Sequence, residues 1–299
     1  MSVFQLQWTV SEEWNGTILR EFLKHKHVSK AALVDIKYNG GKIEVNGKEE
    51  NVRFKLKEKD DVQVFFPPEK VSDGLIPEHL PLSIVFEDDY FLVLDKPPFM
   101  NTIPSREHPN SSMANAIAGY YREKGIDATI HIVTRLDRDT SGLMLVAKSR
   151  HVHHLMSQEQ KKGHVSRIYE ALVEGELLDS GRIEKPIGRK STSIIERQVC
   201  ETGQYACTLY QGLESDGRYS LVNLKLLTGR THQIRVHMAY IGHPLLGDTL
   251  YGGSAHLMER QALHCKKISF FHPFLEKMLF FEIGLQDDMK KAYGQMTKK

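Results

Sequence analysis

The densest group of reactive side chains is the run His131-Ile-Val-Thr-Arg135-Leu-Asp137-Arg-Asp139-Thr140-Ser141-Gly142, which leads straight into the apolar stretch Leu143–Ala147. A charged loop ahead of a buried strand sets its side chains at the edge of a sheet, where a cleft can form. Asp137 follows Leu136, whose burial can pin the turn, and Thr140, Ser141 and Gly142 suit a tight bend. A carboxylate held there could serve as a base or a nucleophile, and an ordinary aspartate, with a pKa near ~3.9, is already ionised at neutral pH. The same residues also satisfy a solvated loop closed by a local Arg135–Asp139 pair, a contact that stabilises little at a surface.

A second group is Leu227-Thr-Gly229-Arg230-Thr-His232-Gln-Ile-Arg235-Val-His237. Gly229 lets the chain turn, and Arg230 falls near a helix N-terminus. His232 and Arg235, three apart, share a helix face that would present cations to an acidic or phosphate-bearing partner, or simply to water. In Ser166-Arg-Ile168-Tyr169-Glu-Ala171-Leu-Val173 the strand period puts Tyr169 on the face opposite Ile168, as a site residue or a core one. His151, His153 and His154 cluster without the carboxylate spacing of a metalloenzyme. No GxxxxGK[ST], GxGxxG or GxSxG run occurs, so neither a metal nor a nucleotide cofactor is expected. The three cysteines, Cys200, Cys207 and Cys265, read as reduced thiols of a cytoplasmic protein, with Cys265 a candidate for exposure.

The elements that must position these residues divide the 299-residue chain into a small and a large unit. In residues 15–66, Ile18, Leu19, Phe22 and Leu23 recur at helical spacing, and Ser29 can cap a second helix. Ile43 and Val45 alternate with polar residues ahead of the hairpin signal Asn46-Gly47, and DVQVFF forms a last strand. Residues 67–80, rich in proline and polar residues, read as a linker. From 81 to 290, two strands flank the acidic turn Glu87–Asp89, and helices are expected over Ser112–Tyr121, Arg150–Lys161 and Thr231–Ile241. Further strands are expected at Leu143–Ala147, Ile168–Val173, Ala206–Tyr210, Tyr219–Leu227 and Met278–Ile283. Strands outnumber helices without regular alternation. The expected class is therefore α+β: a mixed, largely antiparallel sheet with a central cleft, beside a small α/β N-terminal unit.

A net charge of +2 argues for no particular partner. Cations do cluster at Lys24, Lys26, Lys30, Lys37 and Lys42, with only Asp35 among them, and again at Lys185, Arg189, Lys190 and Arg197. No apolar run approaches the ~20 residues that span a bilayer, and the N-terminus lacks the pattern of a signal peptide.

Five segments, in order, resemble the RluA-type family of pseudouridine synthases: VLDKPPFM (93–100), RLDRDTSGLMLVAKS (135–149), RIYEALVEG (167–175), LLTGRTHQIRVHMAYIGHPLLGDTLYG (226–252) and QALHC (261–265). Residues 15–66 resemble the alpha-L RNA-binding domain named after ribosomal protein S-four, although Leu19-Arg20-Glu21 and Asp60 depart from its usual pattern. The resemblance implies isomerisation of uridine to pseudouridine in structured RNA, ribosomal rather than transfer RNA, without a cofactor, by a monomer. Asp137 takes the place of the catalytic aspartate, Arg230 would hold it ionised, Arg135 would fill the space of an extruded base, and Tyr169 would stack on the uracil. The clustered lysines, Arg189, His232 and Arg235 would hold phosphates. The alternatives are an RNA-binding assembly factor on the same fold, or a glycoside hydrolase, which would need a second carboxylate about 5 Å from Asp137.

Overall fold

The computed structural model describes residues 4–69 and 74–296; Lys70–Asp73 of the expected linker lie outside the described residues. The N-terminal unit comprises β1 (Gln5–Thr9), α1 (Leu19–His25), α2 (Lys30–Tyr38), β2 (Lys42–Val45), β3 (Lys48–Glu49) and β4 (Asp61–Phe65). Its sheet runs β1-β4-β2-β3, all antiparallel, so it takes in a strand ahead of the expected start at residue 15. Phe4, Leu6, Trp8 and Val10 alternate with Gln5, Gln7 and Thr9, a strand signal that the expected boundary at residue 15 left out. Ser29 caps α2 by accepting from the Ala32 amide at 3.1 Å. Leu6, Leu19, Phe22, Leu23, Ile36 and Val62 share a core separate from that of the larger unit.

The larger unit is built on β5 (Ser83–Glu87), β6 (Phe91–Lys96), α3 (Met113–Lys124), β7 (His131–Ile132), β8 (Ser141–Ala147), α4 (Arg150–Lys161) and β9 (Val165–Glu174). It continues through β10 (Ser180–Glu184), β11 (Ile187–Arg189), β12 (Arg197–Val199), β13 (Cys207–Ser215), β14 (Tyr219–Leu226) and α5 (Gln233–Tyr240). It closes with β15 (Leu263–His272), β16 (Lys277–Glu282) and α6 (Asp287–Met296), which carries the unit past the expected end at 290. The main sheet is ordered β10-β13-β14-β9-β15-β8-β6-β5, with β16 on β15 and β7 on β8, while β11 and β12 form a separate hairpin. Every pairing is antiparallel except that of β8 with β15, so the fold is mixed α+β with a largely antiparallel sheet. Met113, Ile117 and Tyr121 of α3 and Val152 and Met156 of α4 are buried in one core with the central strands. No described helix is long and apolar enough to cross a membrane.

The segment between the units is fastened along the larger one. Glu69 accepts from His131 Nε2 at 2.6 Å and from the amides of Arg150 and Thr129 at 2.6 and 3.2 Å. These bonds outweigh burial and hold its carboxyl below the usual range. Further on, the Glu78 backbone crosses α3 at Gly119 so closely that a Cβ there would lie 2.0 Å from the Glu78 carbonyl oxygen. Between the two units, Phe4 packs against both cores and Tyr90 stacks on Phe274 with ring centroids 4.0 Å apart.

Candidate active site

The loop that carries Asp137 is held by backbone contacts from three distant parts of the chain. Thr102 Oγ1 donates to the Leu136 carbonyl at 2.6 Å and accepts from the Leu136 amide at 3.2 Å. Lys96, fully buried at the end of β6, donates to the carbonyls of Arg138 (2.8 Å), Pro97 (2.7 Å) and Met100 (2.7 Å). Burial pushes its pKa down to about 7, yet three carbonyl acceptors favour the ammonium, because a neutral amine has only two N–H groups to offer. Arg260, also buried, donates to the Asp139 carbonyl at 2.9 Å and is itself gripped by Asp288 of α6 at 2.6 and 2.9 Å. Gly142 then enters β8 at φ 110°, where a Cβ would lie 2.4 Å from the Cys265 carbonyl oxygen. Only glycine admits both that backbone angle and the close approach of β15.

Asp137 emerges from this frame at the wall of a cleft of about 640 Å³, lined also by Arg135, Arg167, Tyr169, Arg230, His232 and Arg235. The cation beside it is Arg235, whose Nη1 lies 3.6 Å from Asp137 Oδ2. Arg235 is clamped from behind: Nε and Nη2 donate to the two oxygens of buried Asp248 at 2.7 and 2.8 Å, and its guanidinium lies 4.9 Å from the Tyr251 ring centroid. Burial alone would depress this guanidinium, but the Asp248 bonds and the charges of Asp248 and Asp137 raise its pKa. His232 stands at the N-terminus of α5 with φ 56°, its Nε2 at 4.0 Å from Asp137 Oδ2 and its Nδ1 at 2.8 Å from the Tyr251 hydroxyl. Burial lowers its pKa despite the pull of Asp137, which favours the neutral ring.

Several expectations change here. Arg230, expected beside Asp137, instead spends Nε on the Tyr205 carbonyl at 2.9 Å while bordering the cleft. The neighbouring position belongs to Arg235, because α5 begins two residues after Thr231 and turns Arg235 inward. His232 and Arg235 therefore face the carboxylate rather than forming an open basic surface. The local pair is Arg138 with Asp139, at 3.8 Å, not Arg135 with Asp139; Arg135 is exposed at the cleft mouth. Tyr169 lines the cleft at 3% exposure, with its hydroxyl 3.3 Å from Arg167 Nη1 and its pKa raised by burial. Cys265 is buried rather than accessible, and burial pushes its thiol up to about 12.

Among the expected RNA-binding cations, Lys24, Lys30 and Lys37 are exposed, Lys26 lies 5.8 Å from the Phe22 ring, and Lys42 pairs with Glu44 at 2.6 Å. Lys185 is exposed 5.7 Å from the Tyr240 ring, Lys190 pairs with Glu196, and Arg189 is exposed beside a second pocket. Buried Gln233 fixes the loop before α5: its Oε1 accepts from the Arg230 amide at 3.0 Å and from Thr228 Oγ1 at 2.8 Å. Of the supporting residues, Gln233 and Asp248 lie in the segment 226–252 and Lys96 in 93–100, while Thr102 and Arg260 fall outside every segment singled out in the sequence.

A framed carboxylate in an open, cation-lined cleft on this sheet defines a class before it defines a protein. Residues 90–240 match the family described as RNA pseudouridylate synthase, and the chain belongs to that family. It is 48% identical over 274 residues, 91% of this chain and 97% of the relative, to a Bacillus subtilis (strain 168) protein named uncharacterized RNA pseudouridine synthase YjbO. It is 40% identical to the ribosomal large subunit pseudouridine synthase D of Vibrio cholerae serotype O1, over 71% of this chain and 70% of that one. The fold is also that of human RNA pseudouridylate synthase domain containing 4, with a TM-score of 0.58 at 20% identity, over 72% of this chain and 92% of that one. The protein is accordingly an isomerase of the RNA-modifying kind.

Proposed function

We propose that this enzyme converts specific uridines of structured RNA, ribosomal rather than transfer RNA, to pseudouridine in the cytoplasm, as a monomer and with no cofactor. The observation that carries the reading is Asp137: a carboxylate on a backbone held at Leu136, Arg138 and Asp139, open to a cleft and accompanied by a cation at 3.6 Å. The reaction breaks the bond from ribose to the uracil nitrogen, turns the ring and rejoins it through carbon, so no atom or electron is gained. Asp137 serves this either by attacking the anomeric carbon or by taking a proton from the sugar, and both need it ionised. The clamped Arg235 sets a positive charge 3.6 Å from it without donating a hydrogen bond to it. The target base must leave its stack to reach the carboxylate, at a cost of about a few kcal/mol. Exposed Arg135 at the mouth is suited to fill the vacated space, and Tyr169 on the wall to stack on the uracil. The N-terminal unit, an alpha-L type domain in this reading, adds phosphate contacts through Lys24, Lys30 and Lys37. Ribosomal RNA is favoured by the named activity of the Vibrio cholerae relative.

The test is pseudouridine mapping of total RNA from cells lacking the gene, complemented by wild type or by Asp137→Asn. Sites that vanish in the deletion and return only with wild type are the expected result. Sites restored by Asp137→Asn would remove the aspartate from the mechanism.

A further inference from the structure

A second pocket, of about 400 Å³, opens beside the cleft and shares Arg135, Gly229, Arg230 and Thr231 with it. Four arginines border it, Arg135, Arg189, Arg197 and Arg230, and no carboxylate does. The side chains of Arg135 and Arg189 have no acceptor among the described residues. Arg230 commits only Nε, to the Tyr205 carbonyl, and Arg197 only Nη1, to the carbonyls of Ile195 and Glu196. Like charges gathered around one cavity repel each other unless an anion sits between them. The nearby lysines differ, since Lys190 is neutralised by Glu196.

The pocket is also tied to the reacting carboxylate. Arg197 begins β12, and its amide donates to the Tyr251 hydroxyl at 2.9 Å; that hydroxyl bonds His232, which faces Asp137. The β11–β12 hairpin thus keeps a fixed spacing from Asp137.

We propose that this pocket binds a phosphodiester of the RNA strand adjoining the uridine held over Asp137. The proposal rests on the RNA reading above. Arginine forks match phosphate oxygens two at a time, and the volume admits a phosphate with its attached sugar. Such a contact fixes the backbone on one side of the target while the detached base turns. It carries no sequence information, so its effect is uniform across substrates.

The experiment is fluorescence-anisotropy binding of a short labelled uridine oligoribonucleotide to the full-length protein at roughly 50–200 mM salt. Variants are Arg189→Gln, Arg189→Gln with Arg197→Gln, and Lys277→Gln as an exposed control on β16, with thermal melts to establish folding. Arg189 is exposed and unpaired, so its replacement leaves the fold intact. The expected result is affinity roughly tenfold weaker for Arg189→Gln, with the slope of log K against log salt shallower by about 0.7, and by about 1.4 in the double variant. Lys277→Gln keeps wild-type values. Unchanged affinity and slope in both arginine variants would overturn the pocket. Displacement of the oligonucleotide by inorganic phosphate at equal phosphate concentration and constant ionic strength would assign the pocket to a free anion and overturn the strand contact. A wild type that binds neither this oligonucleotide nor a structured ribosomal RNA transcript sinks the RNA reading itself, whereas wild-type binding that neither arginine variant weakens sinks only the pocket.

Discussion

Replacing Arg235 by lysine leaves a positive charge near Asp137 but removes the fork that aims it. The guanidinium makes two bonds to Asp248, at 2.7 and 2.8 Å, and turns its third nitrogen to within 3.6 Å of Asp137. At that distance and an effective dielectric near 20 the gross attraction is about 4–5 kcal/mol. Lysine retains most of it, so the substitution isolates geometry from charge. An ammonium can meet Asp248 or lean toward Asp137, not both. An ammonium held by Asp248 withdraws its charge from 3.6 Å to about 6 Å from Asp137, which forfeits about 1.8 kcal/mol of that attraction and lowers kcat by roughly 20-fold. One bond to buried Asp248 is lost as well, which lowers the thermal midpoint by roughly 2–4 °C per kcal/mol. Arg230→Lys, by contrast, should keep kcat within about threefold and raise KM, since Arg230 borders the cleft without touching Asp137. The assay is single-turnover conversion of uridine to pseudouridine in a transcript that the deletion strain leaves unmodified. The reverse order, with Arg230→Lys losing kcat and Arg235→Lys retaining it, would refute the assignment.

Two further outcomes follow from the frame. His151, buried against Phe66 with ring centroids 4.7 Å apart, and His264 each have a pKa pushed down to about 4 by burial, so each is neutral in the fold. The unfolded chain takes up these protons first, so the stability they confer is complete above pH ~6.5 and is withdrawn as the pH falls toward about 4. Between pH 7.5 and 5 the urea-derived stability should fall by about 2 kcal/mol for each, and His151→Phe should recover one such share; equal slopes in wild type and variant would refute this. Gly119→Ala would ordinarily gain about 1 kcal/mol of helix propensity, but its Cβ would meet the Glu78 backbone at 2.0 Å. A net loss of about 1–2 kcal/mol in thermal melts is expected, and a gain would mean the crossing segment yields freely.

How much of this was legible depended on whether a residue's role was local. Asp137 could be found because a charged loop abuts a continuous apolar strand, and α+β character because so many strands alternate in short runs. β15, at the centre of the sheet, was hidden by its own bulge: buried Leu263 and Cys265 fall on one parity and buried Ile268 and Phe270 on the other, with the register shifting between Cys265 and Lys267. A period-two search loses phase there. Arg230 and Arg235 could not be ranked by spacing, because helix start and cap geometry decide which one turns inward. Arg260 and Asp288 are coupled across distant sequence, and nothing local to either announces the pair.

The disposition of buried charge explains how such a loop can be rigid and still reactive. Lys96 and Arg260 bring two cations to the Asp137 loop, yet both bond its carbonyls, at Arg138 and Asp139, and neither bonds the Asp137 carboxylate. The nearest side-chain nitrogens to that carboxylate, of the Arg235 guanidinium and the His232 ring, stop at 3.6 and 4.0 Å, beyond hydrogen-bond distance, because Arg235 is drawn back by Asp248 and His232 by Tyr251. A direct fork from Arg235 to Asp137 would occupy the oxygens that meet the sugar in the proposed reaction, and breaking it would add to the barrier. Asp248 therefore does more than neutralise Arg235: by claiming two of its nitrogens it sets how much stabilisation Asp137 receives before substrate arrives. The aspartate is held in orientation by its backbone, with both oxygens left open to the cleft.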